Sequence, residues 1–327
     1  MAPNLEENIL ATIAYYDVLD FPLKEEEVFR FLINFEHLDA SKKMNKPALD
    51  EVRNRMADLM KAGAIDSDQG YYFLTDKKYL APLRLKKEKI AREKWAKTLR
   101  AVKWIRLVPN VRAVFASGSL AISNTDELSD LDVLIVAKHG RIWLTRLFIT
   151  VWLSLLRVRR SGSEKIAPDK VCLNHYITDK SPGIPYGSMY NAQTYINLVP
   201  IFIRDEETLK NFQRENGWVL TYVFDWPEAV QEKKIGNGFA GMIGKAKEWF
   251  LNNRFGDFLE NMARRYQSVR IERNPLTKKA GGRVIFTDEQ LEFHPESVED
   301  KIIERYNQRL RDLGLSHFAK EKNSGLT

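Results

Sequence analysis

From Leu131 to Ala137 the chain reads Leu-Asp-Val-Leu-Ile-Val-Ala, with Asp130 directly before it. A run this short and this apolar is the pattern of a strand covered on both faces. Two carboxylates at its start are the anomaly, because an ionised side chain enters a core only when something pairs with it. On an extended chain, residues two apart share a face, so Asp130 and Asp132 point one way while Leu131 and Val133 point into the core. Paired carboxylates so placed bind hard cations. Mg²⁺ takes one or two of them and completes its shell with phosphate oxygens and water, and two such ions can clamp both oxygens of a phosphoryl transfer.

A second apolar strand, Val111–Ala116, runs into Ser117-Gly118-Ser119. Gly118 at the strand end permits a tight turn and lets a phosphate approach with no Cβ in the way. The short helix expected after it directs its N–H groups, with the Ser119 hydroxyl, at that anion. A third strand is read at 171–177 and an apolar helix at 142–156 between it and the strand at 131–137, which together make an α/β core.

Gly118-Ser119, a short spacer, and Asp130-Leu131-Asp132 on the next strand resemble the signature of DNA polymerase beta-like nucleotidyltransferases. The resemblance covers about 111–177. It implies an α/β (α+β) core with a mixed sheet that transfers a nucleoside monophosphate from a nucleoside triphosphate to an acceptor. In that reading Asp130 and Asp132 are catalytic and hold Mg²⁺ or Mn²⁺, while Ser117, Gly118, Ser119 and Ser129 bind the nucleotide. Many family members carry a third acid on the following strand. Here that strand reads Val171-Cys172-Leu173-Asn174-His175-Tyr176, so Asn174 takes the third catalytic position. Its carbonyl can ligate a metal but takes no proton at neutral pH. His175 is weighed both as a substitute base and as a packed histidine, and Asp169 and Asp179 both as fallback acids and as turn residues.

The flanking segments are legible in outline. Residues 1–76 read as three helices and a hairpin: apolar stripes at Ile9–Ala14 and Val28–Leu32, a third helix starting near Pro47, then strand, turn and strand ending at Leu74. That order resembles a winged-helix domain, whose third helix would carry Lys46, Arg53, Arg55 and Lys61 as candidate phosphate contacts. Asp50, Glu51 and Asp58 on the same helix argue against DNA. Residues 77–110 are a basic helical linker, with Leu99, Val102 and Ile105 facing the next domain. The core occupies 111–185. Residues 186–327 are expected to be mostly helical and resemble bacterial nucleotidyltransferase-domain proteins through "NLVPIFIRDEETLKNF", read as a helix pair, and "VIFTDEQLEFHP". A helix is expected over 239–273, a short strand over 284–287 and a last helix over 298–313. This region is expected to cap the cleft, with Arg254, Arg264, Arg265, Arg270 and Arg273 as further phosphate candidates.

A chain of 327 residues with 44% hydrophobic content supports two or three domains. Its single cysteine, Cys172, excludes an internal disulfide framework, and one thiol with five scattered histidines excludes a thiolate–histidine zinc cluster. A net charge of +7 suits an anionic partner, nucleotide or nucleic acid. The start of the chain lacks the basic and apolar regions of a secretory signal, so a cytoplasmic location is expected. The apolar helix at 143–156 is too short to span a bilayer and contains Arg146, so it is expected to pack on the sheet. Two functions follow from different classes: a metal-dependent nucleotidyltransferase acting on a small molecule, a protein or RNA, and a winged-helix DNA-binding regulator whose transferase domain senses nucleotide or is inactive.

Overall fold

The computed structural model describes residues 5–38, 44–161, 164, 166–226, 234–236, 247–279 and 281–325. Three helices open the chain, α1 (Leu5–Asp17), α2 (Glu25–Arg30) and α3 (Leu49–Lys61), followed by an antiparallel hairpin of β1 (Ile65–Asp68) and β2 (Tyr71–Leu74). Gln69 and Gly70, with φ of 52° and 80°, make the tight turn whose twist matches paired strands. The expected order of elements is therefore present. Helix α4 (Leu80–Ile105) then leads to β3 (Val111–Ala116), α5 (Gly118–Ala121), β4 (Leu131–Ala137), α6 (Ile142–Leu155) and β5 (Val171–Thr178). Beyond these lie α7 (Met189–Ile196), β6 (Val199–Ile203), α8 (Glu206–Glu215), α9 (Arg254–Glu272), β7 (Arg283–Phe286), β8 (Gln290–His294) and α10 (Glu299–Asp312).

The fold is α+β around one six-stranded mixed sheet in the order β6-β3-β4-β5-β8-β7. Only β4 and β5 run parallel, joined by the crossover through α6, and every other pair is antiparallel. The C-terminal region is mostly helical, as expected, but it also supplies β6, β7 and β8, half of the sheet, of which only β7 was expected. The segment read as a helix pair is the strand β6 followed by α8. Val199-Pro200-Ile201-Phe202-Ile203 is a short apolar run of the kind that periodicity cannot assign, and its pairing with β3 decides it. The expected 239–273 helix lies partly outside the described residues. Within them α9 begins at Arg254, where the Asn253 side chain caps Phe255 N and Gly256 N.

Strand alternation sorts the two sides of the sheet. Leu131, Val133 and Ile135 pack with Val102 and Trp95 of α4, Trp143 and Ile149 of α6 and Ala263 of α9. Leu134, Val136 and Phe115 pack in another cluster with Ile9 and Ile13 of α1, Val52 of α3, Ala192 of α7 and Tyr306 of α10. The N-terminal helices thus share a continuous core with the sheet. Asp132, alternating with Leu131 and Val133, belongs to this second side. Helix α6 packs on the sheet as expected, with Arg146 donating to Gln267 Oε1 at 2.5 Å and stacking 4.6 Å over the Phe293 ring. No helix among the described residues is long and apolar enough to cross a membrane.

Candidate active site around Asp130 and Asp132

Strand β3 ends against the first residues of β4. Ser117 N donates to the Asp132 carbonyl at 3.1 Å, which keeps the turn after β3 beside the Asp132 side chain. Gly118 follows with φ of +62°, and a Cβ added there would lie 2.6 Å from Asp132 Oδ2. Only glycine satisfies both conditions, since the left-handed conformation strains other residues and the carboxylate occupies the space a side chain would need. Gly118 is exposed and Ser117 and Ser119 are half-buried, so this turn presents open backbone next to a carboxylate.

The two acids do come together. The carboxylates of Asp130 and Asp132 and the Cys172 thiol place their ligand atoms within 4.8 Å of one another. Arg160 Nη1 donates to Asp130 Oδ2 at 2.5 Å, and the same guanidinium reaches the Glu164 carbonyl at 3.2 Å. Asn174 Nδ2 donates to Asp132 Oδ1 at 3.0 Å. This contact depends on a break in strand register: Asp132 pairs with Cys172, yet Leu134 pairs with His175, so β5 spends one extra residue between them. Asn174 is thereby turned onto Asp132.

Burial and the neighbouring Asp130 charge raise the Asp132 carboxyl from 3.8 to about 7, against the opposing pull of Arg160, Cys172 and Asn174. Burial, with the two carboxylates beside it, also pushes the Cys172 thiol well up, so it stays protonated at neutral pH. The centre is a carboxylate pair short of positive charge, with one guanidinium already on Asp130.

The other candidates are spoken for. The Ser129 hydroxyl donates to Asp126 Oδ1 at 3.0 Å and closes the turn before β4, while its carbonyl accepts from Lys94. Asp169 is held by Lys94 at 3.0 Å and Lys97 at 2.5 Å, and Asp179 by Arg112 at 3.3 Å and His139 N at 2.8 Å. His175 is buried opposite Glu292 of β8. On α3, Arg53 pairs with Glu25 and Asp50, Arg55 with Glu6 and Asp58, and Lys61 with Asp58, while Lys46, just before α3, pairs with Asp225. All four candidate phosphate contacts therefore carry an acidic partner.

The sequence reading missed Arg160 and Lys94. Arg160 lies just beyond the apolar helix, and Lys94 is one of many cations on the basic helical linker. The only available signal for Lys94 was its spacing from Ala91 and Trp95, which puts it on the buried side of α4. Comparison with protein-family models, curated proteins and solved structures gives no match.

Proposed function

We propose that the Gly118 turn and the Asp130–Asp132 pair form the catalytic centre of a metal-dependent nucleotidyltransferase of the DNA polymerase beta type, acting on a small-molecule or protein acceptor. The observation that carries this reading is the close approach of the two halves of the motif: a Cβ added to the exposed Gly118 would lie 2.6 Å from Oδ2 of Asp132, a carboxylate whose ligand atoms gather with those of Asp130.

The residues fit Mg²⁺ or Mn²⁺. Asp130 and Asp132 supply hard oxygen donors, their charge is balanced only in part by Arg160, and the protonated Cys172 thiol is no ligand for a hard ion. Bound there, the ion would neutralise the triphosphate and hold its oxygens in line. The chain itself does the rest. The Gly118 backbone admits the phosphates without steric conflict, and the Ser119 hydroxyl stands next to it as a donor. The acceptor oxygen attacks the α-phosphorus, the bond to pyrophosphate breaks, and the acceptor's proton passes to water, because Asn174 offers an amide where a carboxylate would take it. Arg160, now on Asp130, provides positive charge at the edge of the same site.

A second reading rests on that amide: a regulator whose winged-helix-like N-terminal segment binds DNA while the transferase fold only senses nucleotide. It is weaker, because the cations of α3 are neutralised within the protein. Calorimetric titration of the wild type and of Asp130→Asn/Asp132→Asn with each nucleoside triphosphate, with and without Mg²⁺, separates the two. Heat that needs both metal and carboxylates, followed by labelled-nucleotide transfer to an acceptor, supports the transferase. Sequence-selective DNA binding that is unchanged in the double variant, with no transfer, supports the regulator.

A further inference from the structure

Beyond the carboxylate pair, the sheet builds a second polar cluster from β5, β7 and β8. Antiparallel register sets His175 opposite Glu292, and the two-residue period of β8 brings His294 onto the same face as Glu292. His175 Nε2 lies 3.7 Å from Glu292 Oε2 and His294 Nε2 lies 3.5 Å from Glu292 Oε1. All three ligand atoms fall within 4.8 Å of one another. The imidazoles meet edge to face at 89°, so they are not stacked on each other.

Two observations single this cluster out from an ordinary buried ion pair. The His175 side chain is only 8% exposed, and its Nε2 has no hydrogen-bond partner. A buried nitrogen left unbonded is costly, and this one faces a carboxylate at a distance too long for a hydrogen bond. The formal charges are also unequal: Glu292 and Glu299 are both buried, and one guanidinium, Arg283, serves both, at 2.6 Å and 3.2 Å. With neutral imidazoles the cluster keeps an excess of negative charge, which a cation would relieve.

We propose that His175, Glu292 and His294 bind a single first-row divalent transition ion, zinc foremost, with a position left open on the His294 side. Two imidazoles and one carboxylate are a donor set for Zn²⁺ and its neighbours and not for Mg²⁺, which separates this site from the all-oxygen pair at Asp130 and Asp132. The His294 side chain is 34% exposed, so the open position faces solvent. Glu292 is held in place by Arg283, by the Tyr186 hydroxyl and by Gln290 Nε2 at 3.0 Å, the kind of outer hydrogen bonding that orients a metal-bound carboxylate. Ligands at ~2.0–2.1 Å from a tetrahedral ion sit roughly 3.3 Å apart, so the cluster must contract on binding. His294, at the exposed end of β8, is the side chain placed to make that movement.

The test uses the full chain, stripped with a chelator, titrated with Zn²⁺ and with Co²⁺, and desalted for metal analysis. Binding of one ion per chain, with a visible Co²⁺ spectrum of nitrogen–oxygen coordination, is expected. His294→Ala and His175→Gln should each weaken that binding at least about tenfold, while Asp130→Asn/Asp132→Asn should leave it unchanged. If the His175 variant fails to fold by circular dichroism, the partly exposed His294 variant decides alone. No Zn²⁺ retained by the wild type, or equal retention in the folded histidine variants, overturns the proposal. Loss of the ion in the aspartate variant also overturns it and assigns the metal to the other site.

Discussion

The ammonium of Lys94, on a side chain 3% exposed, donates at 2.7 Å to the carbonyl of Ser129, the residue that immediately precedes Asp130. It also reaches the Glu127 carbonyl at 3.2 Å and Asp169 at 3.0 Å. A cation of the long helix α4 thus ties down both the loop that delivers the carboxylate pair and the turn that starts β5. Lys94→Met keeps the length of the side chain and removes its charge. The variant should lose roughly 2–3 kcal/mol of stability, the scale of charged hydrogen bonds given up in a buried place. Urea denaturation measures that loss, and Mg²⁺ titration of the folded variant should show weaker binding because Asp130 is no longer fixed.

Gly118→Ala tests the turn. Its left-handed backbone alone should cost about 1–2 kcal/mol. The new Cβ would also meet Asp132 Oδ2 at 2.6 Å, forcing the carboxylate or the turn to shift. Nucleotide binding should fall more than stability does. A variant that binds triphosphate as well as the wild type would remove the glycine backbone from the site.

Asp132 holds its proton to about pH 7 in the folded chain, against 3.8 for an ordinary aspartate, through burial first and the Asp130 charge second. The unfolded chain has already released that proton, so stability falls as pH rises between 3.8 and 7, and the penalty is complete above it. Metal-free Asp132→Asn, which has nothing to ionise there, should be more stable than the wild type at about pH 8 and lose that advantage by about pH 4. Urea midpoints at the two pH values give the comparison. Since a cation needs the ionised carboxylate, Mg²⁺ affinity should climb as pH rises through about 7, with a proton released on binding.

Asn174→Asp supplies an acid where the amide stands. Without metal, the loss of the 3.0 Å bond to Asp132 Oδ1 and the added like charge should destabilise the protein. With Mg²⁺ bound, that penalty should largely disappear. If transfer in the wild type is held back by the missing base, the variant should turn over about 10²-fold faster, the lower end of what a positioned general base contributes. An unchanged rate in a folded, metal-binding variant would show that proton removal is not what limits it.

The legible part of the site is the part that lies close together in the chain. Gly118, Asp130 and Asp132 belong to one strand–turn–strand passage, so alternation and turn chemistry were enough to pair the acids on one face. Asn174 lies beside Asp132, and the cause of that contact was invisible in the sequence: the slipped register between Asp132–Cys172 and Leu134–His175 is a property of two strands. Arg160 arrives from beyond the crossover helix, and nothing in its local sequence ties it to Asp130. The strands β6 and β8 were missed for a related cause. Val199–Ile203 is too short to show a period, and Gln290–His294 places a glutamate inward that local reading takes as solvated.

What the sequence determined by itself is the set of local choices: the three helices and hairpin, the apolar strands of the core, the glycine turn, and the carboxylate pair facing away from Leu131 and Val133. These follow from side-chain periodicity and backbone freedom, which act over a few residues. Tertiary structure decided which charges meet. It buried Lys94 under the loop before Asp130, set Arg160 on that acid, neutralised the cations of α3, and gathered His175, Glu292 and His294 from separate strands. The physical reason is that electrostatic pairing depends on distance through space and on burial, and both are set only when the sheet closes its order β6-β3-β4-β5-β8-β7.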